Sequence, residues 1–156
     1  MNKIIGIIGT VLFFYASSVQ STELNVGCIK TVQGSAIIVR SNQSVLAKIG
    51  ERIYKNDSLK TGPDGSLGMI FKDDTLLSIG PNSEIVVKEF LFSPGEGKLS
   101  WVTRLVKGTA ACLTGIIAKL SPQSVRFETP VAQVGIRGTR FAVQVQENKE
   151  GEHENR

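Results

Sequence analysis

Beyond its first twenty or so residues this chain has little of what an enzyme is assembled from. Histidine occurs once, at His153, inside an acidic stretch near the C-terminus. A Ser-His-Asp or Cys-His site therefore has no base, and zinc has too few soft ligands. Aromatic residues make up 6 % of the chain and no basic run is interleaved with them, so the stacking platforms and cationic stripes of nucleic-acid binders are missing. After Ala16 there is no further apolar run long enough to cross a bilayer. Helical periodicity is nearly absent after that point too, which leaves strands as the expected building material.

What is present begins with a targeting pattern. Lys3 supplies a positive tip, Ile4 to Ala16 are uncharged and apolar, and small polar residues follow in "SSVQSTEL". That order reads as a secretory signal peptide over residues 1–21, cleaved after Ser18 or Ser21, in preference to a membrane anchor. The remainder fits one domain over residues 22–146 and a short acidic tail over 147–156. The tail, "ENKEGEHENR", has no aliphatic side chain to bury and is expected to be disordered. Without it, residues 22–146 carry 15 basic and 10 acidic side chains, a net +5 spread along the chain as on a solvated surface. A periplasmic or secreted protein, with no membrane span once the signal is removed, is the expected product.

The two cysteines, Cys28 and Cys112, are far apart in the sequence. In an oxidising compartment the simplest expectation for such a pair is a disulfide, with two buried free thiols as the alternative.

Alternation marks the strands. "SAIIVR" sets Ile37 and Val39 against Ile38 and Arg40, and "TRFAVQVQ" puts Phe141, Val143 and Val145 on one face. "EIVVKEFLF" and "SVRFET" read the same way, and "GPDG", "KDD", "GPNS" and "SPGEG" break them. Short strands recurring at about ten residues imply an all-β domain, a rolled sandwich or a short β-helix-like stack, with the signal segment as the one expected helix.

Two stretches invite a chemical reading. The adjacent carboxylates Asp73 and Asp74, with Asp57, are the set that calcium would use. "FKDDTLL" reads better as a hairpin, in which Phe71 ends one strand, Lys72 to Thr75 turn, and Leu76 begins the next. "GIRGT" lacks the spacing and the following helix of a phosphate loop. Gly135 and Gly138 are expected at a sharp corner or a close backbone approach, and Arg137 is expected to donate to loop carbonyls there. Arg137, Thr139 and Trp101 remain weak binding candidates, and no catalytic residue, metal ligand or cofactor is expected.

With these features in order, the chain resembles the FecR family. One block holds Gly50, Asp57, Thr61, Gly62, Ser66, Phe71, Asp74, Leu76, Pro81 and Ser83. A second, Thr129, Pro130, Ala132, Gly135, Arg137, Gly138, Thr139 and Phe141, is similar to the family's "TP.A..G.RGT.F" signature. Asp74-Thr75 stands where the family usually has Asp-Gly-Ser. The resemblance implies a periplasmic domain that, in the best-known members, sits outside a membrane sensor and contacts an outer-membrane receptor. No counterpart of the cytosolic segment by which those members control a sigma factor is expected here, and only the extracytoplasmic role is carried over as an expectation. The expectation is a non-catalytic module that docks a protein of the envelope. Its alternative is a glycan-binding module using Trp101 and Phe92 as stacking surface.

Overall fold

The computed structural model describes residues 24–136 and 138–146. The signal segment, the acidic tail and Arg137 lie outside them. Twelve strands follow one another: β1 Gly27–Gln33, β2 Ala36–Arg40, β3 Gln43–Leu46, β4 Arg52–Ile53, β5 Ser58–Thr61, β6 Ser66–Phe71, β7 Leu76–Ile79, β8 Glu84–Ser93, β9 Lys98–Leu113, β10 Val125–Glu128, β11 Gln133–Gly135 and β12 Arg140–Val145. The expected hairpin is present as drawn, with β6 ending at Phe71 and β7 starting at Leu76.

The sixteen-residue β9 organises the rest. Along one edge it pairs with β8 through its first part and with β7 through its last. Along the other it pairs with β10, in parallel, from Trp101 to Arg104, and with β12 from Gly108 to Leu113. Between the two parts the chain bends at Gly108. The result is two sheets sharing one strand, β4-β1-β6-β7-β9-β12 and β3-β2-β5-β8-β9-β10-β11. This is the rolled-sandwich form of the expected all-β domain.

Pairing register explains the core. In the first sheet Ile29, Met69, Leu77 and Cys112 form a row across four neighbouring strands, and Phe141 extends it on β12. In the second, Ile38, Leu59, Ile85 and Leu105 do the same, and all four are fully buried. Residues opposite one another across a ladder share a face, so each row arrives in the core as a unit. Burying each such aliphatic side chain contributes about 1.5–3 kcal/mol. Aromatic rings join the sheets: Phe71 of β6 lies 5.7 Å from Trp101 of β9 and 5.6 Å from Phe90 of β8. Phe127 of β10 lies 6.2 Å from Trp101 and meets Phe141 of β12 edge-on at 5.2 Å.

The same register overturns the disulfide. Cys28 and Cys112 are unbonded. β6 and β7 lie between their strands, which is about 14 Å at the ordinary strand spacing and far beyond the reach of a bridge. They also face opposite ways, since Cys112 lies in the core row whereas Cys28 shares the outer row of Ile70, Leu76 and Leu113. Burial, aided by the nearby Asp73, pushes the Cys112 thiol up to about 12, so it stays protonated and inert at ordinary pH.

One helix among the described residues was not expected. α1, Ile116–Leu120, is a little over one turn, too short for periodicity to show in the sequence. It is held by the β6–β7 hairpin. Asp73 accepts hydrogen bonds at Oδ2 from the Ile117 amide at 3.3 Å and at its carbonyl from the Ile116 amide at 2.7 Å. The Thr75 hydroxyl accepts from the Gly115 amide at 2.9 Å. Three amides at the start of the helix that have no partner within it are thereby satisfied from another part of the chain.

Candidate binding clefts at the C-terminal edge

The residues of the first motif block build corners. Asp57 is fully buried, and the Arg40 guanidinium donates to it in a two-pronged pair at 2.9 and 2.8 Å, with the Tyr54 amide adding a third bond at 2.9 Å. Arg40 also donates to the Arg52 carbonyl and lies 4.4 Å above the Tyr54 ring. The Asp57 hydrogen bond raises the Arg40 pKa, so this contact holds its charge throughout the stable range.

Thr61 ties β5 to the β7–β8 connection: its hydroxyl donates to the Gly80 carbonyl at 2.7 Å and accepts from the Ser83 amide at 3.0 Å. The Ser83 hydroxyl accepts from the Thr109 amide at 2.9 Å and lies 3.1 Å from the Pro81 carbonyl. Gly108 completes the arrangement. Its φ is +87°, and an added Cβ would collide with the Cα of Ser83. Gly50 turns at φ +85° while its amide donates to the Ile29 carbonyl, and the Gly62 amide donates to Ser35.

In the β6–β7 turn the structural weight falls on Asp73 and not on Asp74. Asp73 is fully buried and also accepts from the Thr75 hydroxyl at 2.8 Å, whereas Asp74 is exposed with φ +66°. That left-handed conformation is one glycine adopts freely, which accounts for the family's Asp-Gly-Ser at the same turn. Asp57 and Asp73 are each engaged by protein donors. Among the described residues no three His, Cys, Asp or Glu side chains gather as a metal site would require.

The second block builds an edge. Thr129 closes a tight turn with Ala132: its hydroxyl accepts from the Ala132 amide and donates to the Ala132 carbonyl, both at 3.0 Å, with Pro130 between them. The chain then forms β11, buries Ile136, and crosses from one sheet to the other through Gly138, whose φ is +141°. The Thr139 carbonyl accepts from the Thr114 amide at 2.9 Å and the Gly138 carbonyl from the Thr114 hydroxyl at 3.1 Å. Phe141 reaches back to Phe127. Gly135 has ordinary extended backbone and open space around it, and nothing in the structure explains why it is glycine.

Two clefts flank this strip. One, of about 740 Å³, lies between α1 and the β10–β11 hairpin, lined by Ala118, Pro122, Val125, Arg126, Gln133 and Ile136 among others. The other, of about 690 Å³, opens where β10 leaves β9 and β12 joins it. Its lining includes Val106, Val131, Val134, Val143 and Val145, together with Lys107. Val131 is 88 % exposed, the most open large apolar side chain among those described. Each cleft has one ionisable lining residue among those described, Arg126 or Lys107, so no acid and base face one another. The valines were legible only as alternation, because the gap between two strands that makes them a cleft is a tertiary feature.

Trp101, in contrast, is 1 % exposed and packed between Phe71 and Phe127. It offers no stacking face to a sugar, which removes the main support for a glycan platform. Thr139 is exposed beside the strip, and Arg137 is outside the described residues.

The family model described as FecR protein matches residues 57–153. No curated protein and no solved structure matches the chain. The match covers more than half of the sequence, and the chain belongs to the FecR family. That family is known in envelope signalling and is not a known enzyme family; its domains are typically extracytoplasmic. No helix among the described residues is long and apolar enough to cross a membrane.

Proposed function

We propose that this FecR-family chain is a non-catalytic module of the periplasm that docks an envelope protein through the strip from Thr129 to Val145. The observation that carries this reading is the contrast within the family motifs. The first block is consumed in internal hydrogen bonds, whereas the second frames two clefts whose walls are apolar and whose rims are nearly uncharged. Depletion of charge with retained apolar surface is the character of a protein-binding patch. A sheet that ends in short strands with free backbone groups adds a second means of contact.

The test is capture from a solubilised envelope fraction by the immobilised protein. Val131→Glu is expected to abolish retention of a protein that the parent holds, and Ile49→Glu, a substitution at another exposed apolar position, is expected to leave it intact. Retention unaffected by Val131→Glu, or retention on isolated murein in place of a protein, would overturn the proposal.

A further inference from the structure

The outward faces of the two sheets differ in charge. On the second sheet Lys60 lies opposite Glu84 and pairs with it at 3.2 Å, Glu84 lies opposite Lys107, and Arg104 lies opposite Glu128. Such a surface is made for water. On the first sheet the ladder sets Cys28, Ile70, Leu76 and Leu113 in one outward row across β1, β6, β7 and β9, with Arg52 of β4 at one end and Arg140 of β12 at the other. Leu76 is 41 % exposed and Leu113 37 %, so this row stands as an apolar ridge. It runs about 24 Å between its arginines at the ordinary strand spacing.

Beside the ridge the same face is low and uncharged. The next outward row is Thr31, Gly68, Ser78, Ala111 and Ala142. The Thr31 hydroxyl lies over Gly68, and that of Thr109 over Gly80, where a larger side chain would otherwise stand. A hollow of about 350 Å³ opens over β7, β9 and β12, with Ser78, Thr109, Ala111, Ala142 and Gln144 in its lining. Ridge and hollow on one face make that face complementary to itself. A two-fold axis in the plane of contact, along the row from Thr31 to Ala142, seats the ridge of each copy over the low rows of the other and keeps the strands of the two sheets close to aligned packing. Equivalent arginines then lie at the margins, two rows or more than about 13 Å apart and beyond the screening length at physiological salt. Three outward rows about 7 Å apart on a face about 24 Å wide cover about 500 Å² per copy and about 1,000 Å² for a pair, at the small end of specific interfaces.

We propose that the outward face of the first sheet binds a second copy of this chain, the ridge of Cys28, Ile70, Leu76 and Leu113 in each copy seated over the hollow of Ser78, Ala111 and Ala142 in the other. An interface of this size supports a dimer that forms and dissolves with concentration, half-dissociated at about 10 µM or above. The second sheet, with its charged outward rows, stays in solvent.

Sedimentation equilibrium of the full chain tests this. The parent is expected to pass from monomer towards dimer between about 1 and 500 µM. Ala111 is exposed, and the axis brings its two copies together, so Ala111→Lys places like charges opposite one another and is expected to weaken association at least about tenfold. Leu46→Lys, at an exposed position on the far edge of the second sheet, is expected to leave it unchanged. Should Ala111→Lys fold poorly, Cys28 reports from the unsubstituted chain. Its alkylation by iodoacetamide is expected to slow at least about threefold from dilute to concentrated protein as the ridge is covered, while Cys112 stays protonated and unreactive. A parent that remains monomeric throughout, association that Ala111→Lys leaves intact, an alkylation rate independent of concentration, or a monomer held by phosphatidylglycerol vesicles and released by Leu113→Glu would overturn the proposal.

Discussion

The bend at Gly108 and the edge at β10–β12 belong to the same strand and follow opposite rules. At the bend, Thr61, Ser83 and Thr109 bond to one another's backbone, and Ser83 fills the space a side chain at Gly108 would need. At the edge, Thr129 closes a turn on itself, Val131 stands in solvent, and a stretch of β9 has no described strand on the side shared by β10 and β12. Two sheets that must fold over a common strand need a fixed geometry where they part, and polar satisfaction supplies it. The opposite edge is under no such demand and is free to carry contacts with other chains. Within one family motif set, then, hydrogen-bonding density separates scaffold from surface.

The largest expected effect is at the bend. Gly108→Ala combines an unfavourable φ with a clash against the Ser83 backbone, and a loss of about 3 kcal/mol or more is expected in denaturant unfolding. A loss below about 1 kcal/mol would mean the bend is soft and the contrast false. Phe141→Ala comes next: it removes the ring that ties the edge to Phe127 and should cost about 2–3 kcal/mol, below the range for a fully buried phenylalanine because Phe141 is half-buried. Thr129→Val deletes one hydroxyl from an exposed turn, and about 1 kcal/mol is expected, read as a lower melting temperature with an unchanged denaturant slope.

The smallest effect concerns Asp64, which the Ser35 hydroxyl, at 2.7 Å, and then the Ser35 amide hold below the usual carboxylate pKa. A depressed folded-state pKa gives stability that is present above the unfolded value, near about 3.9, and lost as pH falls through the folded one. Ser35→Ala should therefore lower stability slightly at neutral pH, with the difference from the parent vanishing as pH falls below about 4, so that the acid limb of the stability curve flattens. An unchanged acid limb would show that the contact carries no linkage.

Much of the scaffold was legible in the chain before any coordinates. Alternation gave β2, β8, β10 and β12, because a half-buried strand must switch faces at every residue. The "FKDDTLL" turn was readable from its polar cluster, though not that Asp73 would hold the start of α1 through the Ile116 and Ile117 amides. The disulfide failed because sequence separation carries no information about strand order. Cys28 and Cys112 looked like a pair until two strands were found between them. Trp101 looked like surface because the strand pattern does not reveal which of its two faces is the buried one. The clefts were invisible for the same reason, being gaps between strands that are neighbours only in space.

The sharing of β9 between both sheets also sets an order of assembly. As the polypeptide is made from its N-terminus, β7 and β8 precede β9, so one side of it finds its neighbours as soon as Leu113 is complete. The other side waits for β10 and then β12, which lie later in the chain. During that interval a newborn molecule exposes a long bare backbone, and the final segment to arrive is the one that shields it from neighbouring nascent chains.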